Sequence, residues 1–264
     1  MDDVWVLGDK YESYVGRWSR RVAAGFLEWL APADGQRWLD VGCGTGVLTE
    51  QVLARCEPQS VLGVDQSKGF VAWAAEHIAD PRVSFTVADA TELATDVDVV
   101  VSGLVLNFLP DAQAALAAMR AAAPAGTIAA YVWDYGGQMD LMRVLWDAAA
   151  SLDPAAAELD EGNRFPICDP IALEAAWRAG GLVDVATTAI DVPTIFTDFD
   201  DYWTPFLGGQ GPAPSYVTSL SEDRRNELRE RVHAALPISV DGSIALTARA
   251  WAVRGRSPAV RRAW

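Results

Sequence analysis

The chain has 264 residues, 51% of them apolar, and sets 36 acidic against 21 basic side chains for a formal charge of −15. That length can bury a sizeable core and that apolar content excludes extensive disorder, while the acidic balance excludes nucleic acid and anionic lipid surfaces, which are held by a basic footprint. The opening "MDDVWVLGDKYESYVGRWSRR" lacks a basic region followed by an apolar run, and no later stretch offers the ~20 uninterrupted apolar residues of a membrane span. Cys43, Cys56 and Cys168 are widely spaced, which suits a reducing compartment and forms neither a disulfide framework nor a zinc pattern. These features predict a cytoplasmic protein without stable membrane insertion, a monomer or homodimer, with no metal.

In chain order, "YESYVGRWSRR" and its continuation to about residue 30 read as opening helices. Five short apolar runs follow: "RWLDVG", "SVLGVD", "VSFTVAD", "VDVVVSGL" and "GTIAAYVW". Such runs suit strands of a parallel sheet covered on both faces. Between them "GVLTEQVLAR", "KGFVAWAAEHIA" and "DAQAALAAMRAAA" carry helical spacing. This βαβ series predicts a doubly wound sheet with ligands at the carboxyl ends of its strands. Later, "PIALEAAWRAGGLVDVATTAIDV" reads as a helix stopped by Gly180 and Gly181, then a strand. "SEDRRNELRERVHAAL" reads as a helix capped by Ser221, and "GSIALTARAWAVRG" as a final alternating strand. The aromatic segment between those two strands, about residues 193–242, is expected to be an insertion folded over one end of the sheet, with "GGQGPAPSY" as a mobile or rigid loop and 256–264 as a tail.

"LDVGCGTG" places Gly42, Gly44 and Gly46 between strand and helix, where the backbone must turn sharply and approach a ligand. A dinucleotide fingerprint would have its third glycine at Val47, and a Walker loop would need Gly-Lys-Ser/Thr, so neither fits. Asp65 and Asp89 end the next two strands. The first is placed to accept ribose hydroxyls and the second to meet an adenine amino group; each is also suited to capping the turn that follows.

"LDVGCGTGVLT", "GVDQS", "VADATEL" and "VVSGLVLNFLPD" together resemble the class I S-adenosylmethionine-dependent methyltransferases, especially the quinone-biosynthesis-like, type 11 small-molecule branch. The resemblance is strong over about residues 35–135 and continues to about 255. It implies an α/β, Rossmann-like seven-stranded sheet, mostly parallel with an antiparallel last strand, plus an inserted cap. It also implies contacts from Asp40, Gly42, Cys43 and Gly44 to the cofactor's methionine part, from Asp65 to ribose, and from Gln66, Asp89 and Ala90 around adenine. Gly103 and Leu104 would line the remaining side. Where many relatives carry histidine, this chain has Asn107 and Phe108, so no imidazole base stands there.

A methyl group on a sulfonium is already activated, which leaves the protein with alignment and exclusion of water. A base would help an acceptor that must lose a proton. Asp134 and Tyr135, after the fifth strand, are the candidates; turn formation is their other role. Tyr14 and Arg17 are expected to reach the cofactor from the N-terminal segment, with Arg17 or Arg20 on its carboxylate. Trp18, Asn107, Phe108, Trp133, Tyr202 and Trp203 are expected to line the site of a small organic acceptor, apolar or aromatic, with oxygen, nitrogen or carbon as nucleophile. A nicotinamide-dependent oxidoreductase and a cofactor-binding protein without turnover are the competing readings.

Overall fold

The computed structural model describes residues 16–208 and 211–258; Tyr11, Tyr14, Gly209 and the tail from residue 259 lie outside them. In chain order the regular elements are α1 (Arg17–Leu30), β1 (Arg37–Val41), α2 (Val47–Arg55), β2 (Ser60–Asp65), α3 (Lys68–His77), β3 (Val83–Val87), β4 (Val99–Gly103), α4 (Ala112–Ala122), β5 (Thr127–Trp133), α5 (Asp140–Leu152), α6 (Glu161–Arg164), α7 (Pro170–Ala179), β6 (Val183–Phe196), α8 (Phe199–Trp203), α9 (Pro212–Ser219), α10 (Glu222–Ala235) and β7 (Ile244–Arg256). One sheet runs in the order β3-β2-β1-β4-β5-β7-β6. Its first five members pair in parallel and its last strands are antiparallel. The strand order reverses between β1 and β4, the crevice at which open α/β sheets take their ligands.

Local sequence accounts for most boundaries. β1, β4 and β5 are buried along nearly their whole length, which is why they read as continuous apolar runs. Ser67, Asp111, Asp169 and Ser221 each accept a backbone N–H at the first turn of α3, α4, α7 and α10. α7 ends where Gly181 takes a φ of +78°, a left-handed turn that a side chain would strain.

The chain divides into two compact units. One, here the sheet unit, comprises Ser19–Val132, Ile167–Ile190 and Trp251–Trp264; the other, the insertion unit, comprises Met1–Trp18, Trp133–Pro166 and Asp191–Ala250. The insertion unit thus includes residues 133–166, for which the sequence pattern had suggested no element. Yet α5 buries Leu141, Met142, Leu145, Trp146, Ala148 and Ala149, a spacing that is helical on inspection.

Three expectations need correcting. β3 ends at Val87, so Asp89 stands in the turn beyond it. β6 does not stop at Val192 but continues to Phe196 with Ile190, Val192, Thr194 and Phe196 all buried on one face. Pro193 is tolerated because β6 is an edge strand, where a missing N–H breaks no ladder. "GPAPSY" is not a loop: Gly211, at φ +85°, opens α9 and Pro212 occupies its first position. All three cysteines are buried thiols outside any disulfide among the described residues. His77 is exposed and stacked on Trp73, and His233 meets the Phe199 ring edge-on.

Candidate cofactor site

The site begins with the turn from β1 into α2. Gly42, Gly44 and Gly46 all have positive φ (+72°, +52° and +87°), which only glycine adopts without strain. The N–H groups of Gly42 and Cys43 donate to the Val64 carbonyl at 2.8 and 3.0 Å, tying the loop to β2. A Cβ at Gly42 would lie 2.6 Å from the Val105 side chain, and one at Gly46 would strike Ile78. At Gly44 a Cβ would meet nothing within 4 Å, so the space above that glycine is open.

Asp65, at the end of β2, accepts from Gly44 N at 3.1 Å and from Ser67 N at 2.8 Å, so it shapes the loop and caps the turn at once. Burial raises its pKa while these two amides pull the other way. Asp89 accepts from the Thr91 amide (2.8 Å) and hydroxyl (2.6 Å), which hold its carboxyl below the usual range. Both capping roles are therefore real. They leave each carboxylate with further lone pairs, and both side chains line one cavity.

That cavity measures about 240 Å³ and lies within the sheet unit. Gly42, Asp65, Gln66, Asp89, Ala90 and Val105 form much of its wall. Its size falls just below the usual range of roughly 300–1,000 Å³ for ligand pockets, which suits the nucleoside part of a cofactor. The "FLPD" turn after β4 contributes Leu109, Pro110 and Asp111. These were missed from sequence, although their position just past a strand's carboxyl end is the signal that would have found them.

Asp40 lies deeper, 1% exposed in β1. One oxygen, Oδ2, accepts from the Thr49 hydroxyl at 2.7 Å, and the other, Oδ1, is buried without a hydrogen-bond partner among the described residues. Burial pushes its pKa up to about 7, opposed by the Thr49 hydroxyl and reinforced by Asp65. A cation placed there would satisfy Oδ1 and favour the ionised form. Cys43 is buried, and burial drives its thiol pKa upward, away from any nucleophilic role. Gly103 lies against the Tyr131 hydroxyl, 2.5 Å from where its Cβ would be. Leu104 has a φ of +62° and donates its N–H to the Tyr131 carbonyl at 2.8 Å, a strained backbone position directly before the cavity-lining Val105.

The expected acceptor residues divide between the units. Asn107 and Phe108 belong to the sheet unit; Asn107 is 8% exposed and its Nδ2 has no partner among the described residues. Arg17, Trp18, Trp133, Asp134, Tyr135, Tyr202 and Trp203 belong to the insertion unit. Arg17, expected on the cofactor's carboxylate, instead holds Asp201 at 2.9 Å, and Arg20 reaches Glu50 at 3.7 Å. Asp134 turns back on its own loop, accepting from Gln138 N at 2.9 Å, as turn formation requires. Tyr202 is buried and its hydroxyl donates to the Leu141 carbonyl at 2.7 Å, so both its ring and its polar end are engaged.

A family model described as a methyltransferase domain matches residues 39–126. The chain is 34% identical over 117 residues to a trans-aconitate 2-methyltransferase of Methylobacterium nodulans, an alignment spanning 43% of this chain and 45% of that protein, less than half its length. A trans-aconitate 2-methyltransferase of Delftia acidovorans aligns over 242 residues at 28% identity, covering 84% of this chain and 87% of the other. Among solved structures, phosphoethanolamine N-methyltransferase 2 of Haemonchus contortus, in complex with phosphomonomethylethanolamine and S-adenosylhomocysteine, superposes with a TM-score of 0.58 at 18% identity, over 95% of this chain and 57% of that one; the likeness is one of fold. The residues present fit S-adenosylmethionine: an open acceptor atom on Asp40 for an ammonium, open space over Gly44, and a nucleoside-sized cavity edged by two carboxylates. The domain match, the relatives and the sheet order agree with one another and support a class I S-adenosylmethionine-dependent small-molecule methyltransferase.

Proposed function

We propose that this protein transfers the methyl group of S-adenosylmethionine to a small organic acid. The observation that carries the transfer reading is the buried Asp40 carboxylate with one oxygen unpaired beneath a glycine loop that leaves space for a ligand. The acid acceptor is supported by the relatives, whose names specify trans-aconitate.

When bound, the cofactor supplies an activated methyl group on a sulfonium. Asp40 would hold the ammonium of its amino-acid end, and Asp65 would accept the ribose hydroxyls with the lone pairs left after Gly44 and Ser67. Gln66, Asp89 and Ala90 would border the adenine. A carboxylate acceptor is nucleophilic without losing a proton, which agrees with Asn107 standing where many relatives carry histidine. Asp134 and Tyr135 would serve as base only for an acceptor that must be deprotonated. Alignment and water exclusion are then the protein's main contribution.

Titration with S-adenosylhomocysteine and, separately, NAD, followed by tryptophan fluorescence and melting temperature, tests the cofactor. Stabilisation by S-adenosylhomocysteine alone is expected; stabilisation by NAD alone would overturn the reading. Incubation with S-adenosylmethionine and trans-aconitate, with mass detection of a methylated product, tests the acceptor class.

A further inference from the structure

A threonine inside a helix commonly returns its hydroxyl proton to a carbonyl one turn back. Thr49, fully buried in the first turn of α2, instead donates to Asp40 Oδ2 at 2.7 Å, on β1. That bond fixes one oxygen of a carboxyl that is itself buried, and Oδ1 is left without a hydrogen-bond partner among the described residues. Buried polar atoms are rarely left unpaired, and an acceptor held in one orientation with one oxygen open fits a donor that arrives from outside the chain. The surroundings set the charge of that donor. Gly63 and Val101, opposite Asp40 on the neighbouring strands, carry none. Asp65 at the end of β2 is an acid, Cys43 in the loop is a thiol held neutral by burial, and Glu50, next along α2, reaches away to Arg20 at 3.7 Å. These acids and the thiol bring no positive charge, so a cationic donor is what Oδ1 lacks.

From this geometry we infer that Thr49 is a positioning residue for the cofactor: by occupying Oδ2 it holds Asp40 in one orientation and keeps Oδ1 for the ligand's ammonium. The inference rests on the methyl-transfer reading and adds to it a residue that acts through Asp40 rather than on the ligand itself. It also makes capture of the cofactor depend on protons. Burial and Asp65 favour the neutral Asp40 carboxyl, the hydroxyl and amide of Thr49 favour the carboxylate, and the balance falls at about 7. Only the carboxylate attracts an ammonium. Affinity for a ligand with that group therefore rises as pH passes up through this value, and below it binding releases the proton that Asp40 held. Without the Thr49 hydroxyl the balance tips further toward the neutral form, which moves the rise to higher pH.

Calorimetric binding of S-adenosylhomocysteine and of 5′-methylthioadenosine, which has no amino-acid end, between about pH 5.5 and pH 8.5 tests this in wild type, Thr49→Val, Thr49→Ala and Thr49→Ser. Circular dichroism checks folding. In wild type the affinity for S-adenosylhomocysteine should rise roughly tenfold or more over that range, and its binding below neutral pH should release protons, read as a heat that varies with the buffer. Methylthioadenosine should show neither effect. Thr49→Val keeps the shape of the side chain and loses the donor, so it should weaken S-adenosylhomocysteine several-fold at neutral pH, less at the alkaline end, with methylthioadenosine unchanged. Thr49→Ser keeps the hydroxyl and should restore the wild-type profile. Thr49→Ala should repeat the valine result and decides the matter if the valine variant fails to fold. A folded Thr49→Val or Thr49→Ala whose S-adenosylhomocysteine profile matches wild type, or one that loses both ligands equally at every pH, overturns the inference and leaves methyl transfer intact. A wild type that binds neither adenosyl ligand overturns the methyl-transfer reading, and the inference with it.

Discussion

In the sheet unit, Asp65 and Asp89 stand at turns beyond strand ends and accept backbone amides only a few residues away, or from the neighbouring glycine loop. In the insertion unit several acids find partners further off: Asp160 meets Arg143 at 2.5 Å, Glu161 meets the Trp146 indole, Asp191 meets Arg249 at 2.6 Å and Asp201 meets Arg17 at 2.9 Å. The first arrangement is written within short motifs and leaves carboxylates facing a cavity. The second is assembled by the fold and uses charge to bind distant segments together; of these ion pairs, Arg143–Asp160 is the one deep enough to carry the desolvation cost of a buried pair. One unit therefore advertises its chemistry in the sequence and the other conceals it.

The largest test of that contrast lies in the glycine loop. Gly42→Ala combines a left-handed backbone with a clash against Val105, and should lose roughly 2–5 kcal/mol of stability in urea unfolding. Gly44→Ala has the same backbone strain but open space, so about 1–2 kcal/mol is expected, with S-adenosylhomocysteine affinity falling at least tenfold. Equal stability losses with unaltered affinity would show that the space over Gly44 is not used by a ligand.

A smaller effect compares the units through pH. Burial pushes Asp40 and Glu161 each up to about 7, one in each unit. For Glu161, donors from Trp146 and the Ala213 amide pull back, and Asp160 pushes further. A carboxyl whose folded pKa is raised adds stability that is complete below its ordinary pKa and is lost as pH climbs through the folded value. The unliganded protein should thus weaken between about pH 4 and pH 7. Glu161→Gln should remove on the order of 2 kcal/mol of that slope in pH-dependent denaturation. If the slope survives both Glu161→Gln and Asp40→Asn, these two groups are not its source. The smallest effect should come from Arg224→Ala, since its 3.0 Å pair with Glu227 is exposed; a change above about 0.5 kcal/mol would contradict the weakness of such pairs.

How far the sequence could be read follows from the same contrast. The parallel strands were legible because burial on both faces makes β1, β4 and β5 uninterrupted apolar runs, and the glycine loop because positive φ demands glycine. Asp65 and Asp89 were legible as acids at or just past strand ends and as caps for the turns that follow; what only the geometry added is the bond from Gly44 N to Asp65 and the place of Asp89 beyond the end of β3. The extension of β6 was obscured by Pro193, which is acceptable only once that strand is known to lie at an edge. Arg17 and Asp201 are 184 residues apart, a separation at which no local pattern signals pairing. Thr49 was not legible as a partner of Asp40, since nothing local marks its hydroxyl, in α2, as the donor to that carboxyl.

The chain passes between its two units at 18/19, 132/133, 166/167, 190/191 and 250/251, and the last two crossings fall inside β6 and β7 with no linker. Neither unit can be excised as a cloned fragment without cutting a strand in mid-course. For the same reason, recombination among relatives could not exchange one unit wholesale. New acceptor preferences in such a chain would have to arise by substitution within a frame that is inherited whole.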